Sequence, residues 1–150
     1  MRSWILMSLC LTAALSGCKQ SQPATPRAPR VVIYKSPSCG CCVKWEVYVR
    51  SRGFEVASVM TDDIAAVKAK HGVPAELASC HTATVEGYVL EGHVPVQSIQ
   101  RLLSERPAAR GLVVSGMPAG APGMGGEKTG TWTIYAFTKD GKAPTVYATQ

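Results

Sequence analysis

Val31-Val32-Ile33-Tyr34 is an unbroken β-branched and aromatic run, the pattern of a strand covered on both faces. Ser36-Pro37-Ser38 interrupts it. Cys42, Trp45 and Val49 then recur at i, i+3 and i+7, which predicts a helix from about Cys41 to Arg52 with one apolar face, stopped by Gly53. Phe54 to Met60 reads as a second strand. Asp62 is placed to cap a helix that carries Ile64, Val67 and His71 and closes at Gly72. Thr82 to Leu90 alternates in the manner of strands, Glu91-Gly92 makes a turn towards His93-Val94, and Pro95 opens a helix with Ile99, Leu102 and Leu103 inward.

After Pro107 the texture changes. Gly111 to Gly126 is rich in Gly and Pro and reads as a loop, with Met117 and Met124 inside it. Thr131 to Phe137 and Thr145 to Ala148 read as strands around a hairpin turn at Lys139-Asp140-Gly141-Lys142. Strand–helix–strand–helix–strand–strand–helix is the order of a thioredoxin-like domain. The predicted fold is therefore α/β: a central mixed sheet with flanking helices over residues 31–150, extended by a Gly/Pro/Met loop and a C-terminal β-hairpin.

The first 30 residues follow another logic. Arg2 gives a positive start, Trp4 to Leu15 form a short apolar run, and Leu15-Ser16-Gly17 precede Cys18. This is the plan of a secretory signal, and it is too short to span a bilayer. Leu-Ser-Gly-Cys also resembles the bacterial lipoprotein box, so residues 1–17 are expected to be removed and Cys18 lipidated. Lys19, where Asp would direct retention at the inner membrane, points to the outer membrane of a Gram-negative bacterium, with the domain on the periplasmic side. Residues 19–30 hold three Pro and no acidic side chain; as an extended tether of about 3.1 Å per residue they reach about 35 Å.

Composition narrows the function. The 150 residues are 46% hydrophobic and 17% charged, enough apolar content for one packed domain. Lys plus Arg number 16 against 10 acidic residues, a formal charge of +6, but no two basic residues are adjacent; this is not a nucleic-acid footprint. Neither a nucleotide-binding Gly motif nor a Ser–His–Asp signature is present.

Six Cys change the picture. Cys10 leaves with the signal and Cys18 carries the anchor, so Cys39, Cys41, Cys42 and Cys80 remain for chemistry in an oxidising compartment. Cys39-Gly-Cys41-Cys42 falls between the first strand and first helix, where exposed N–H groups and the helix dipole favour thiolate. Thiolate is both nucleophile and metal ligand. A redox dithiol needs only Cys39 and Cys42, and Cys41 would scramble it. An adjacent Cys pair is awkward for one tetrahedral zinc. Soft Cu(I) accepts few ligands and lets thiolates bridge, so it suits crowded Cys with Met nearby. Structural disulfides Cys39–Cys42 and Cys41–Cys80 satisfy the same count. Cys80-His81 stands in the loop entering the third strand, against the Cys motif in a thioredoxin-like fold. His93 either ligates or terminates a strand, and one of Met117 and Met124 is favoured as a thioether donor. His71 is explained by the helix end on which it sits.

Tyr34-Lys-Ser-Pro-Ser-Cys-Gly-Cys-Cys42, Ser79-Cys-His-Thr-Ala83, Glu91-Gly-His-Val-Pro95 and Gly116-Met-Pro with Pro122-Gly-Met-Gly125 together resemble the CopG-type family of small exported bacterial metal-binding proteins found near copper-resistance genes. The resemblance implies a thioredoxin-like domain, periplasmic exposure and copper handling. It carries ligand roles to Cys39, Cys41, Cys42, Cys80, His81, His93, Met117 and Met124. The reading is a tethered copper-resistance protein that binds more than one Cu(I) in a thiolate-bridged cluster, with other periplasmic copper-handling proteins as partners. The alternative is an enzyme: a thiol–disulfide or copper-linked oxidoreductase using Cys39 and Cys42.

Overall fold

The computed structural model describes residues 27–150. The signal segment 1–17, the lipidation site Cys18 and residues 19–26 of the tether lie outside the described residues. The elements are β1 (Arg30–Lys35), α1 (Gly40–Arg50), β2 (Glu55–Met60), α2 (Ile64–His71), a single 3-10 turn (Ala75–Leu77), β3 (Thr82–Val85), β4 (Tyr88–Glu91), α3 (Val96–Glu105), β5 (Gly111–Val114), β6 (Thr133–Phe137) and β7 (Thr145–Thr149). They build one mixed seven-stranded sheet in the order β2-β1-β3-β4-β5-β6-β7. β1 runs parallel to β2 and antiparallel to β3, and β4 runs parallel to β5; the remaining neighbours are antiparallel.

Alternation along the strands assigns the two faces. Val31, Ile33, Ala83, Val85, Leu90, Leu112, Val114 and Ile134 pack with Cys42, Trp45 and Val49 of α1 and Val96, Ile99 and Leu102 of α3. Their neighbours Val89, Val113 and Phe137 face the other way and pack with Val73 and Leu77, beyond α2, and with Tyr135 of β6. The apolar face expected for α1 is therefore observed, with all three of its predicted residues buried.

Four sequence expectations need correction. Gly111 to Gly126 is not all loop: Gly111–Val114 is a fully buried strand between β4 and β6. A four-residue run beside Gly and Pro carries little signal of its own, and only its two flanking strands make it one. The β6–β7 hairpin is consequently part of the main sheet, joined through β5. The reversal between β3 and β4 falls at Glu86-Gly87, both at positive φ (44° and 89°), a conformation that Asn-Gly or Asp-Gly would have advertised and Glu-Gly conceals. Asp63, not Asp62, caps α2, its Oδ1 accepting the Ala66 N–H at 2.9 Å. Gly72 closes that helix as expected, in the left-handed conformation.

Register fixes the ends of the sheet. Lys35 pairs with Met60, Tyr34 with Thr82, and Thr82 with Glu91, so the C-terminal ends of β1, β2 and β4 share an edge with the start of β3. The cysteines gather at this edge.

Candidate metal centre

The chain leaving β1 turns at Ser36-Pro37-Ser38, where the Cys39 N–H donates to the Ser36 carbonyl at 3.1 Å. That turn makes Cys39 the N-cap of α1 and puts Cys41 and Cys42 in its first turn. Cys42 faces the core, and Cys39 and Cys41 are half-buried beside it. The loop after the 3-10 turn brings Cys80 alongside. The sulfurs of Cys39, Cys41, Cys42 and Cys80 all lie within 4.8 Å of one another. Cys39 and Cys42 are joined by a disulfide, while Cys41 and Cys80 are free thiols. The Cys41 sulfur stands 3.5 Å from that of Cys39. Of the two bridges that spacing allowed, the structure contains the first and leaves Cys41 and Cys80 unbridged.

A second group shares Cys80. Its sulfur and the ring nitrogens of His81 and His93 also lie within 4.8 Å of one another. His93 Nδ1 lies 2.6 Å from the Pro122 carbonyl, which can only accept, so this nitrogen carries the proton and donates. In the neutral ring Nε2 is then the acceptor, 3.1 Å from the Cys80 sulfur, and takes the thiol hydrogen. His81 donates from Nδ1 to the same sulfur at 3.2 Å, which leaves its Nε2 a bare lone pair. That atom is buried and has no partner among the described residues. A buried imidazole with one unpartnered nitrogen and the other on the Cys80 sulfur fits a soft metal ligand better than a packing residue.

The protonation states agree with this arrangement. Burial, then the charge of His93 and of Lys68 and Lys35, holds the His81 pKa well below the ordinary imidazole value. Burial also lowers that of His93, against the opposing hydrogen bond to Pro122. Both rings therefore stay neutral and can ligate. Burial, followed by the neighbouring Cys41, pushes the Cys80 thiol up to about 12, so metal binding here displaces a proton.

Three walls hold the site. Trp45 is fully buried, donates from Nε1 to the Val94 carbonyl at 3.0 Å, and lies against His81 with ring centroids 4.6 Å apart. The Gly/Pro loop forms the second wall. A Cβ on Gly123, which has φ of 82°, would stand 2.6 Å from the Trp45 backbone nitrogen, so only glycine lets the loop close onto α1. Ala121 is buried, Pro122 orients His93, and Met124 follows half-buried. Met117 is 43% exposed at the start of the loop, with φ of 51°.

Glu91 forms the third wall. Fully buried, it accepts from Lys68 Nζ at 2.5 Å, the Ser79 N–H at 2.6 Å and Thr82 Oγ1 at 2.7 Å. Ser79 and Thr82 flank Cys80-His81, so one carboxylate grips both sides of that pair. Gly92, at φ of 71°, lets β4 leave past Ser79, where a Cβ would meet the hydroxyl at 2.6 Å. The sequence assigned Glu91 to a turn. Its only local signal was an acidic residue ending the apolar run Tyr88-Val89-Leu90, and Lys68, Trp45 and the Pro122 carbonyl left no signal of a site role.

A solved structure described as the copper resistance protein CopG, in its second form, matches this chain with a TM-score of 0.77 and 35% identity, covering 82% of this chain and 98% of that one. The chain belongs to the CopG family. The first form of that CopG structure matches equally well, with a TM-score of 0.75 at 35% identity over 81% of this chain and 96% of that one. A family model described as a protein of unknown function, DUF411, matches residues 77–124, the stretch that carries Cys80, His81, His93, Met117 and Met124. No curated protein matches. In this CopG-family chain, reduction of one disulfide would present four thiols and two neutral imidazoles within a few ångströms, a donor set suited to soft metal ions.

Proposed function

We propose that this chain is a membrane-tethered periplasmic copper-resistance protein that binds Cu(I) through Cys39, Cys41, Cys42 and Cys80, with His81, His93 and Met124 or Met117 completing the donor set. One observation carries the reading: four sulfurs within 4.8 Å, one of them shared with a pair of neutral imidazoles. Thiolates so crowded repel one another unless cations lie between them. A single Cu(I) takes only two or three soft donors, fewer than this set supplies. Bridging sulfurs and more than one copper resolve both problems. Anaerobic loading of the reduced protein, followed by copper analysis and X-ray absorption, is the test. More than one copper per chain with a short copper–copper distance is expected; a single copper without one would leave a mononuclear site.

The order β2-β1-β3-β4, with β1 parallel to β2 and a cysteine motif opening α1, supports a thioredoxin-like reading of this part of the sheet. The Cys39–Cys42 disulfide favours a second function, thiol–disulfide exchange. Opening it takes two electrons and two protons, which a dithiol donor supplies as it becomes a disulfide itself. Catalytic reduction of insulin by the copper-free protein would support this enzyme reading.

Lipidation at Cys18 rests on Leu15-Ser16-Gly17-Cys18. The Cys18→Ala variant is expected to leave the outer-membrane fraction while retaining copper, since every candidate ligand lies in residues 39–124, well beyond the anchor. An unchanged distribution between membrane and soluble fractions would remove the lipoprotein assignment.

A further inference from the structure

Charge divides along the sheet. At the end remote from the cysteines lie the start of β1 with Arg30, the exit of α1 with Arg52, the end of α2 with Lys70, the approach to β5 with Arg110, and the β6–β7 turn with Lys139 and Lys142. Among the described residues, Arg30, Arg52, Lys70, Arg110 and Lys139 form no ion pair; the other basic groups here are matched, Arg27 by Glu55, Arg106 by Glu86 and Lys142 by Asp140. At the cysteine end the exposed, unpaired charges of α1, α2 and the Gly/Pro loop are mixed: Asp62, Asp63 and Glu127 against Lys44 and Lys128. Against these five cations stands one exposed, unpaired carboxylate among the described residues of this end, Glu76 beside Lys139 and Lys142, so the remote end is a basic cap on a nearly neutral domain.

The cap has shape as well as sign. A hollow of about 500 Å³ is lined by Gly87, Arg110, Thr138, Lys139, Lys142 and Asp140, whose carboxylate is taken by Lys142. A second of about 370 Å³ adjoins it across Arg110 and Lys139 and reaches Lys70 and His71. Arg110 is held in place by the His71 and Gly87 carbonyls, at 3.0 and 3.3 Å, and lines both hollows without forming an ion pair, the nearby Asp140 being paired with Lys142. The dipole of α2 accounts for a cation at Lys70. Arg30, Arg110 and Lys139 belong to strand ends and a turn, where no dipole calls for them.

We infer that this basic end is a docking face for an anionic phospholipid surface, so that the domain lies on the membrane with its cysteine cluster turned away from it. The inference rests on the N-terminal membrane attachment proposed above, and one topological fact selects a bilayer as the occupant: the chain coming from that attachment joins the domain at Arg30, within the basic end. An attachment at that point brings this face nearer the headgroups than the cysteine end. Each basic side chain adds to the attraction within a screening length, and effective concentration under the tether makes weak contacts sufficient. The copper site is then presented to the periplasm.

The test uses a chain begun at Lys19, which lacks the proposed anchor and retains every element of the sheet and core among the described residues. Co-sedimentation with phosphatidylglycerol vesicles is compared with phosphatidylcholine vesicles. Ionic strength is set at about 0.01 M and about 0.15 M, where the screening length falls from about 30 Å to about 8 Å. Salt-sensitive retention on the anionic vesicles alone is expected. Replacing the exposed Lys70, Lys139 and Lys142 together by Glu should weaken it at least about a hundredfold, whereas Lys44→Glu with Lys128→Glu at the cysteine end should not. Circular dichroism melts confirm that both variants fold. Equal retention on neutral vesicles, a triple variant that binds like the parent, or displacement by inorganic phosphate at constant ionic strength would overturn the inference. Because this chain has no anchor, such a failure concerns the basic face alone, while failure of the attachment itself appears only in the fractionation of Cys18→Ala.

Discussion

Replacing Cys41 by Ser is expected to cost the protein most of its copper, at least about a hundredfold in affinity, and to leave untouched any thiol–disulfide exchange through Cys39 and Cys42, which would need those two thiols alone. The magnitude follows from ligand chemistry: loss of an outer partner alone costs about 10–100-fold, and a directly ligating thiolate contributes more. Cys41 has no other evident task. It is half-buried, bridges no partner, and stands 3.5 Å from Cys39 and within 4.8 Å of Cys80. Serine is nearly isosteric there, so stability of the copper-free fold should change by no more than about 0.5 kcal/mol. Competition with a Cu(I) chelator gives the affinity, and insulin turnover gives the exchange activity. Copper binding at the parent's stoichiometry and affinity would remove Cys41 from the ligand set and leave the two-thiol oxidoreductase reading.

The second large effect belongs to Glu91. Glu91→Ala is expected to destabilise the fold by about 3–5 kcal/mol, because it strands Lys68, whose side chain is only 12% exposed, and orphans the Ser79 N–H and Thr82 hydroxyl. That is a large share of the 5–15 kcal/mol that about describes a domain of this kind. Denaturant midpoints measure it. Glu91→Gln keeps an acceptor oxygen for the Ser79 N–H and separates anchoring from bulk. If the carboxylate grips the Cys80-His81 loop, the Gln variant alkylates faster at Cys80 in the copper-free protein and binds copper more weakly, even where it remains folded. An unaltered Cys80 rate in a destabilised Gln variant would reduce Glu91 to a packing role.

The elements with internal periodicity were legible without the structure. Cys42, Trp45 and Val49 announce their helix because 3.6-residue spacing is a property of the chain itself. The same is true of Gly72, whose freedom to adopt a positive φ ends α2. β5 was not legible, since Gly111–Val114 is a strand only through the hydrogen bonds that β4 and β6 offer it. Asp62 and Asp63 are adjacent and chemically equal, so the choice of cap turned on where the first turn of α2 settles.

The site divides in the same way. The Cys39-Gly40-Cys41-Cys42 motif, Cys80-His81 and the Gly/Pro loop are donor-rich words in the sequence, and chemistry alone names them as candidates for a soft metal. Which atoms can act is a tertiary matter. The Pro122 carbonyl, 29 residues from His93, sets the tautomer that leaves Nε2 facing Cys80. Burial under Trp45, 36 positions away in the chain, keeps His81 uncharged with an unpartnered nitrogen. Glu91 holds the loop from a strand that the sequence read as turning. The sequence by itself determined the inventory of donors and the local helices and caps, because those depend on residue type and on neighbours a few positions apart. Only the tertiary structure decided the distances, protonation and second partners of those donors, because burial and hydrogen bonding between segments far apart in the chain exist only once the sheet has assembled.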